Sequence, residues 1–99
     1  MKLHFTEPAK SDLREISFWI ARDNPRRAAT FARELRVACR NILDFPKAHL
    51  IVGRYRAHEI RRKVHGNYLI FYIMTGVGVE ILHILHGSRD IDEFLNPTG

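Results

Sequence analysis

Tyr68-Leu69-Ile70-Phe71-Tyr72-Ile73-Met74, followed by Thr75-Gly76-Val77-Gly78 and then Val79-Glu80-Ile81-Leu82-His83-Ile84-Leu85, is the stretch that decides the fold. The first run is apolar on both faces and ends in a turn with two glycines, which supply the positive φ that a tight hairpin needs. The second run is apolar on both faces too, interrupted only by Glu80 and His83. Upstream, residues 59–64 alternate Ile60, Arg62 and Val64 with Glu59, Arg61 and Lys63, and Gly66-Asn67 marks the turn between. The C-terminal half therefore reads as a three-stranded antiparallel meander.

The N-terminal half has a different period. Lys2 to Phe5 alternates and is a short first strand. Thr6-Glu7-Pro8 opens a helix, with Thr6 as its cap and Pro8 in the first turn, where a missing N–H costs nothing. Leu13, Ile16 and Ile20 recur at helical spacing. Asn24 caps the next helix, with Pro25 at its first position. Ala28, Phe31, Leu35, Ala38 and Ile42 form one face of that helix, and Arg26, Arg27, Arg33, Arg36 and Arg40 fall mostly on the other. Phe45-Pro46 is expected to close it. The short link makes the two helices an antiparallel hairpin. Residues 49–57 read as a loop or loose edge strand, 87–95 as one turn of helix, and 96–99 as a frayed end. Phe18, Trp19 and Phe31 are expected in the core, as is Cys39.

The order is α+β: a short N-terminal strand, a helix hairpin, then a meander, making one sheet with helices on one face. Two helices cover only one sheet face. One of the sets Leu69/Phe71/Ile73 or Tyr68/Ile70/Tyr72 is then either bare, which suggests a protein partner, or covered by the tail with Phe94 and Leu95. One domain spans residues 1–99, and 99 residues are too few for two.

Composition sets the class. A hydrophobic share of 45% and a charged share of 27% are ordinary for a soluble domain. The lone Cys39 forms no internal disulfide, which fits a reducing compartment. The N-terminus has no apolar stretch that reads as a signal peptide, and no run approaches the roughly 20 residues of a membrane helix, so the expectation is a cytoplasmic protein. The net charge is +5. Lys47, Arg54, Arg56, Arg61, Arg62 and Lys63 face only Glu59 between residues 46 and 75. Such a patch suits a nucleic acid or an acidic protein, and an ordinary solvated face is equally consistent with it.

Taken in order, Asp12-Leu13-Arg14-Glu15-Ile16, Trp19-Ile20, Pro25 with Ala28 and Phe31, Tyr68 to Tyr72, and Ile81 to Asp90 read as I-x-x-x-L-H-x-x-R-D resemble the ParE/RelE toxin superfamily over nearly the whole chain. The resemblance implies a type II toxin–antitoxin toxin, bound by a small cognate antitoxin whose tail wraps it. The ParE branch is associated with inhibition of DNA gyrase and the RelE branch with cleavage of mRNA on the ribosome. Both share the fold, so the fold does not choose between them.

Metal-free RNA cleavage needs a base, cations to steady the phosphorane and an acid for the leaving oxygen. Arg61, Arg62, His86 and Arg89 are the candidates, His86 being of the residue type that ordinarily titrates near neutrality. The RelE branch commonly carries a tyrosine near the C-terminus. Here none follows Arg89, and Phe94 and Leu95 stand in that segment. Phenylalanine stacks but donates no proton, which favours the ParE-like, non-catalytic reading. The candidate target or antitoxin surface is Arg54, Arg56, Arg61, Arg62, Lys63, Arg89 and Phe94. His83 and His86, three apart on a strand, point to opposite faces, so no metal site and no cofactor is expected. Ser88 near His86 lacks a carboxylate orienter and is not expected to be a nucleophile. Asp90 is expected to cap the tail helix.

Overall fold

The computed structural model describes residues 1–95. The end from Asn96 to Gly99, expected to fray, lies outside the described residues. The elements are β1 (Lys2–Phe5), α1 (Glu7–Asp23), α2 (Pro25–Asn41), a 3-10 segment (Gly53–His58), β2 (Arg61–His65), β3 (Tyr68–Met74), β4 (Gly78–His86) and α3 (Ile91–Leu95). The strands make one sheet in the order β1-β4-β3-β2, with β1 parallel to β4 and the other pairs antiparallel. The architecture is the expected α+β one.

Both helix caps work as their residue types require. The Thr6 hydroxyl oxygen accepts from Ala9 N–H at 3.2 Å and its hydrogen reaches the Ile81 carbonyl at 2.8 Å, so it ties α1 to β4 as well. Asn24 Oδ1 accepts from Arg27 N–H at 3.0 Å. The second helix stops at Asn41, earlier than Phe45-Pro46, which lies in the turns that follow. Between those turns and β2, residues 53–58 form the 3-10 segment where a loop or edge strand was expected, and only Ile51 bridges to Arg61. Glu59 takes a left-handed conformation at φ 52°, so β2 begins at Arg61 and not at residue 59.

Ala9, Leu13, Phe31, Leu35, Ala38, Cys39 and Ile42 of the hairpin and following turn pack on Ile70, Tyr72, Val79, Ile81 and Ile84 of the sheet. Burial of each large aliphatic side chain contributes roughly 1.5–3 kcal/mol. The opposite sheet face is not bare. Tyr55, Ile60 and Leu95 cover Phe71 and Leu85, with Ile91 and Phe94 packed beside them. The 3-10 segment shares this cover with the tail, because Tyr55 is buried and its hydroxyl donates to Asp92 of α3. Two core expectations fail on helix geometry. Phe18 and Trp19 are 63% and 55% exposed. At 100° per residue, Phe18 lies about 170° and Trp19 about 90° from the stripe of Ala9, Leu13, Ile16 and Ile20. Phe31 and Cys39 are buried as expected.

One irregularity shapes the end of β4. Phe71 pairs with His83 and Tyr72 with Ile81, so Leu82 is an extra residue in β4, a β-bulge. The bulge lets Ile81 and Ile84 face the helices together. Beyond Ile81, β1 no longer covers the edge of β4. There α1 takes over. Asp12 Oδ2 accepts from the Ile84 backbone N–H at 2.9 Å and from His83 Nδ1 at 2.8 Å.

Candidate functional site

The exit of β4 and the tail helix bring the sharpest residues together. His86 ends β4 on the helix side of the sheet, edge-on to Tyr68 at 5.2 Å between ring centroids. Its Nδ1 takes the Ser88 backbone N–H at 3.1 Å and sits 2.8 Å from the Ser88 hydroxyl. Ser88 is thus a turn residue that orients the imidazole. Arg89 follows, exposed, with its guanidinium 4.7 Å above the Phe94 ring and 3.9 Å from the Glu15 carboxylate. Phe94 also meets His83, edge-on at 5.4 Å. A chain of contacts therefore runs from Asp12 through His83 and Phe94 to Arg89, and returns to α1 at Glu15. Asp90 Oδ1 accepts from Asp92 N–H at 3.1 Å and caps α3 as expected. Asp12, Glu15, Trp19, Tyr68, His86 and Arg89 border a cleft of about 160 Å³ between α1 and the end of β4.

The basic residues of the β2 region do not converge on this cleft. Arg54 is paired with Asp92 at 2.8 Å and fastens the 3-10 segment to α3. Its partner also holds the Tyr55 hydroxyl, and that hydrogen bond raises the Tyr55 pKa. Arg61 lies on the helix side and donates to the carbonyls of Lys47 at 3.1 Å and His49 at 2.7 Å. Lys63 donates to the Ala38 carbonyl near the end of α2 at 2.8 Å. Both bind the carbonyls of neighbouring segments. Arg56 and Arg62 are exposed. Arg62 pairs with Phe71 and so looks to the tail side of the sheet. His49, near Arg61 and Lys63, has its pKa lowered by burial and then by those two charges.

The register measures the scatter. Arg61 is level with Tyr72 and Ile81, whereas His86 is level with Tyr68 and His65. Four residues along a strand and two strands across separate Arg61 from His86 by roughly 13 Å and 10 Å in the two directions. Of the four ribonuclease candidates, only His86 and Arg89 share a cleft. Sequence patterns assign no site role to Asp12, Glu15, Tyr55 and Tyr68. A carboxylate on a helix face and a tyrosine in a loop carry no local signal, since their partners are 72 and 37 residues away. Among the described residues, no helix is long and apolar enough to cross a membrane, and no three His, Cys, Asp or Glu side chains gather as metal ligands would.

No curated protein matches the chain. The family described as "ParE toxin of type II toxin-antitoxin system, parDE" matches it over residues 3–91, from β1 to the first residue of α3. With nine-tenths of its length inside that match, the chain belongs to the ParE toxin family of type II toxin–antitoxin systems.

Proposed function

We propose that the chain arrests growth in the cytoplasm by binding DNA gyrase, without chemistry of its own, that it serves plasmid stabilisation, and that a cognate antitoxin neutralises it. The observation that carries this reading is the separation of the cations. Arg61 and Lys63 hold backbone carbonyls and Arg54 holds Asp92, so among the described residues only Arg89 joins His86 in its cleft as a cation. In the position where RNA chemistry asks for a phenolic acid, Phe94 serves as a stacking base for Arg89. The groups left to meet a target are Arg56 and Arg62 on the tail side of the sheet and the Arg89–Phe94 pair. This is a binding surface with dispersed charge, which steers a partner more than it transforms one. The exposed Phe18 and Trp19 on α1 give the antitoxin an aromatic anchor.

The test is DNA supercoiling by purified gyrase with folded, antitoxin-free protein, with trapped cleavage complexes counted. Inhibition is expected, and Arg89→Ala should weaken it on the order of tenfold, the effect of one charged contact of about 1.4 kcal/mol. A second reading has one observation in its favour. His86, Tyr68 and Arg89 do border one cleft. If gyrase is untouched, and translated mRNA is cut in a way that His86→Ala abolishes, the ribosome-dependent endonuclease takes the place of the gyrase inhibitor.

A further inference from the structure

The hairpin register decides which backbone groups of β2 look outward. His65 and Tyr68 close a two-residue turn, so Arg61, Lys63 and His65 exchange hydrogen bonds with β3. The peptide groups of Ile60, Arg62 and Val64 then point away from the sheet. The first part of this edge is occupied: Val52 N–H donates to the Ile60 carbonyl at 2.8 Å, and Arg62 N–H donates to the Leu50 carbonyl at 3.0 Å. At Leu50 the covering segment turns away. Beyond it, the N–H and C=O of Val64 have no hydrogen-bond partner among the described residues.

The side chains around this open edge are mixed, with exposed apolar groups set among cations. Val64 is 61% exposed, Leu50 71% and Val37 51%. Protected edges carry charge or proline or a covering loop, and here the loop stops one residue pair short. A cleft of about 330 Å³ lies along the edge between Leu50 and Val64, lined also by His49 and Arg62. A second, of about 350 Å³, lies on the helix side between α2 and β2, lined by Arg33, Val37 and Lys63. A strand laid on this edge would place alternate side chains in the two clefts. The charge is one-sided. Arg33, Arg62 and Lys63 line the clefts, the last with its ammonium on the Ala38 carbonyl, and Glu34, the one carboxylate lining the second cleft, is bound to Arg27 at 2.6 Å.

We infer that the outer edge of β2 at Val64 is a docking site for an extended, acidic peptide with alternating apolar residues, which joins the sheet as a further strand in line with residues 50–52. Backbone pairing supplies the affinity and the two clefts the selection. A second copy of this chain fits poorly, because it would bring the same cations face to face. That the peptide is a segment of the antitoxin rests on the toxin reading above. The edge geometry does not.

The test uses the full chain and a short synthetic peptide alternating glutamate with valine, followed by amide chemical shifts and titration calorimetry. Shifts are expected at residues 62–66 and at Leu50, with affinity that falls as salt rises. Methylating alternate peptide nitrogens of the probe should weaken binding on the order of tenfold or more by removing backbone donors. Val64→Pro should do the same while keeping β2 paired to β3, since the lost N–H points outward. Equal binding of the methylated probe, shifts confined to α3 or to Trp19, or no binding at all would overturn the inference. So would a dimer of the native chain that Val64→Pro makes monomeric. Gyrase separates the two proposals. Supercoiling inhibition retained in Val64→Pro, with probe binding lost, supports both. Probe binding without any gyrase inhibition keeps the edge site and removes the toxin target. Gyrase inhibition without probe binding does the reverse.

Discussion

A single carboxylate, Asp12, joins α1 to the end of β4. It satisfies the Ile84 N–H left open where β1 ends and holds the ring of His83. Asp12→Ala leaves a half-buried backbone donor without a partner, a loss of about 1–3 kcal/mol. Urea unfolding should show that loss, with the Phe94 ring freed from His83 in the same variant. An unchanged midpoint would mean that water replaces the carboxylate. Arg61, by contrast, is a binding residue in the sequence and a brace in the structure, because its guanidinium bonds two carbonyls of the 47–49 turn. His49 in that turn supplies a pH dependence. Its folded pKa is lowered from the 6.5 usual for histidine, chiefly by burial. The unfolded chain therefore takes up the proton first as pH falls, and stability drops below about pH 6.5. His49→Gln should flatten that part of the stability profile, measured by thermal unfolding from pH 7 to pH 5. A slope identical to that of the parent chain would assign the effect elsewhere.

At the scale of elements, close approach of backbone matters more than side-chain pattern. In the pairing of β1 with β4, a Cβ on Gly78 would stand 1.9 Å from the Lys2 carbonyl oxygen. Gly78→Ala must push β1 off the sheet edge, at a cost of at least about 1–3 kcal/mol. Hydrogen exchange should then show lost protection at Lys2 and Thr6, whose N–H groups donate to the Val77 and Ile81 carbonyls, with β3 intact. Protection kept at both positions would count against this docking geometry. The tail helix is short and depends on its neighbours. Asp92 binds Arg54 and Tyr55, and Phe94 meets both His83 and Arg89. Truncating Phe94 to alanine removes the platform under Arg89, so a target contact made by Arg89 should weaken with little change in β-sheet content by circular dichroism.

At the scale of the whole molecule, two probes report on packing without engineering. Cys39 is fully buried, and burial pushes its thiol up to about 12. A thiol reagent should therefore react only as the chain opens, with a rate that tracks global unfolding in urea. Rapid stoichiometric labelling in native buffer would contradict that core. Trp19, the one tryptophan, is 55% exposed and should show the emission of a wetted indole, quenched readily by acrylamide. A blue shift on adding the antitoxin would place the α1 patch in that interface, and no shift would remove Phe18 and Trp19 from it.

The sequence by itself determined the two long helices, the four strands, their order and the family, because each rests on local information. Strand β3 is bounded as its apolar run predicts and Thr6 and Asn24 cap the helices they precede; residues 75–78 close the hairpin, although Gly76 does not take the positive φ expected of it. Tertiary structure alone decided the rest. Where the chain adds one residue at Leu82, every later side chain of β4 changes face, and no periodic reading foresees which residue is extra. The cover of the second sheet face came from Tyr55 as well as from the tail, through a contact 37 residues long in sequence. The cations of the basic stretch were legible as charge. Whether each met solvent or a carbonyl depended on distant backbone, as Arg61 and Lys63 illustrate. Charge and periodicity are written along the chain, while the pairing that assigns each charge its partner exists only once the sheet and helices have closed on one another.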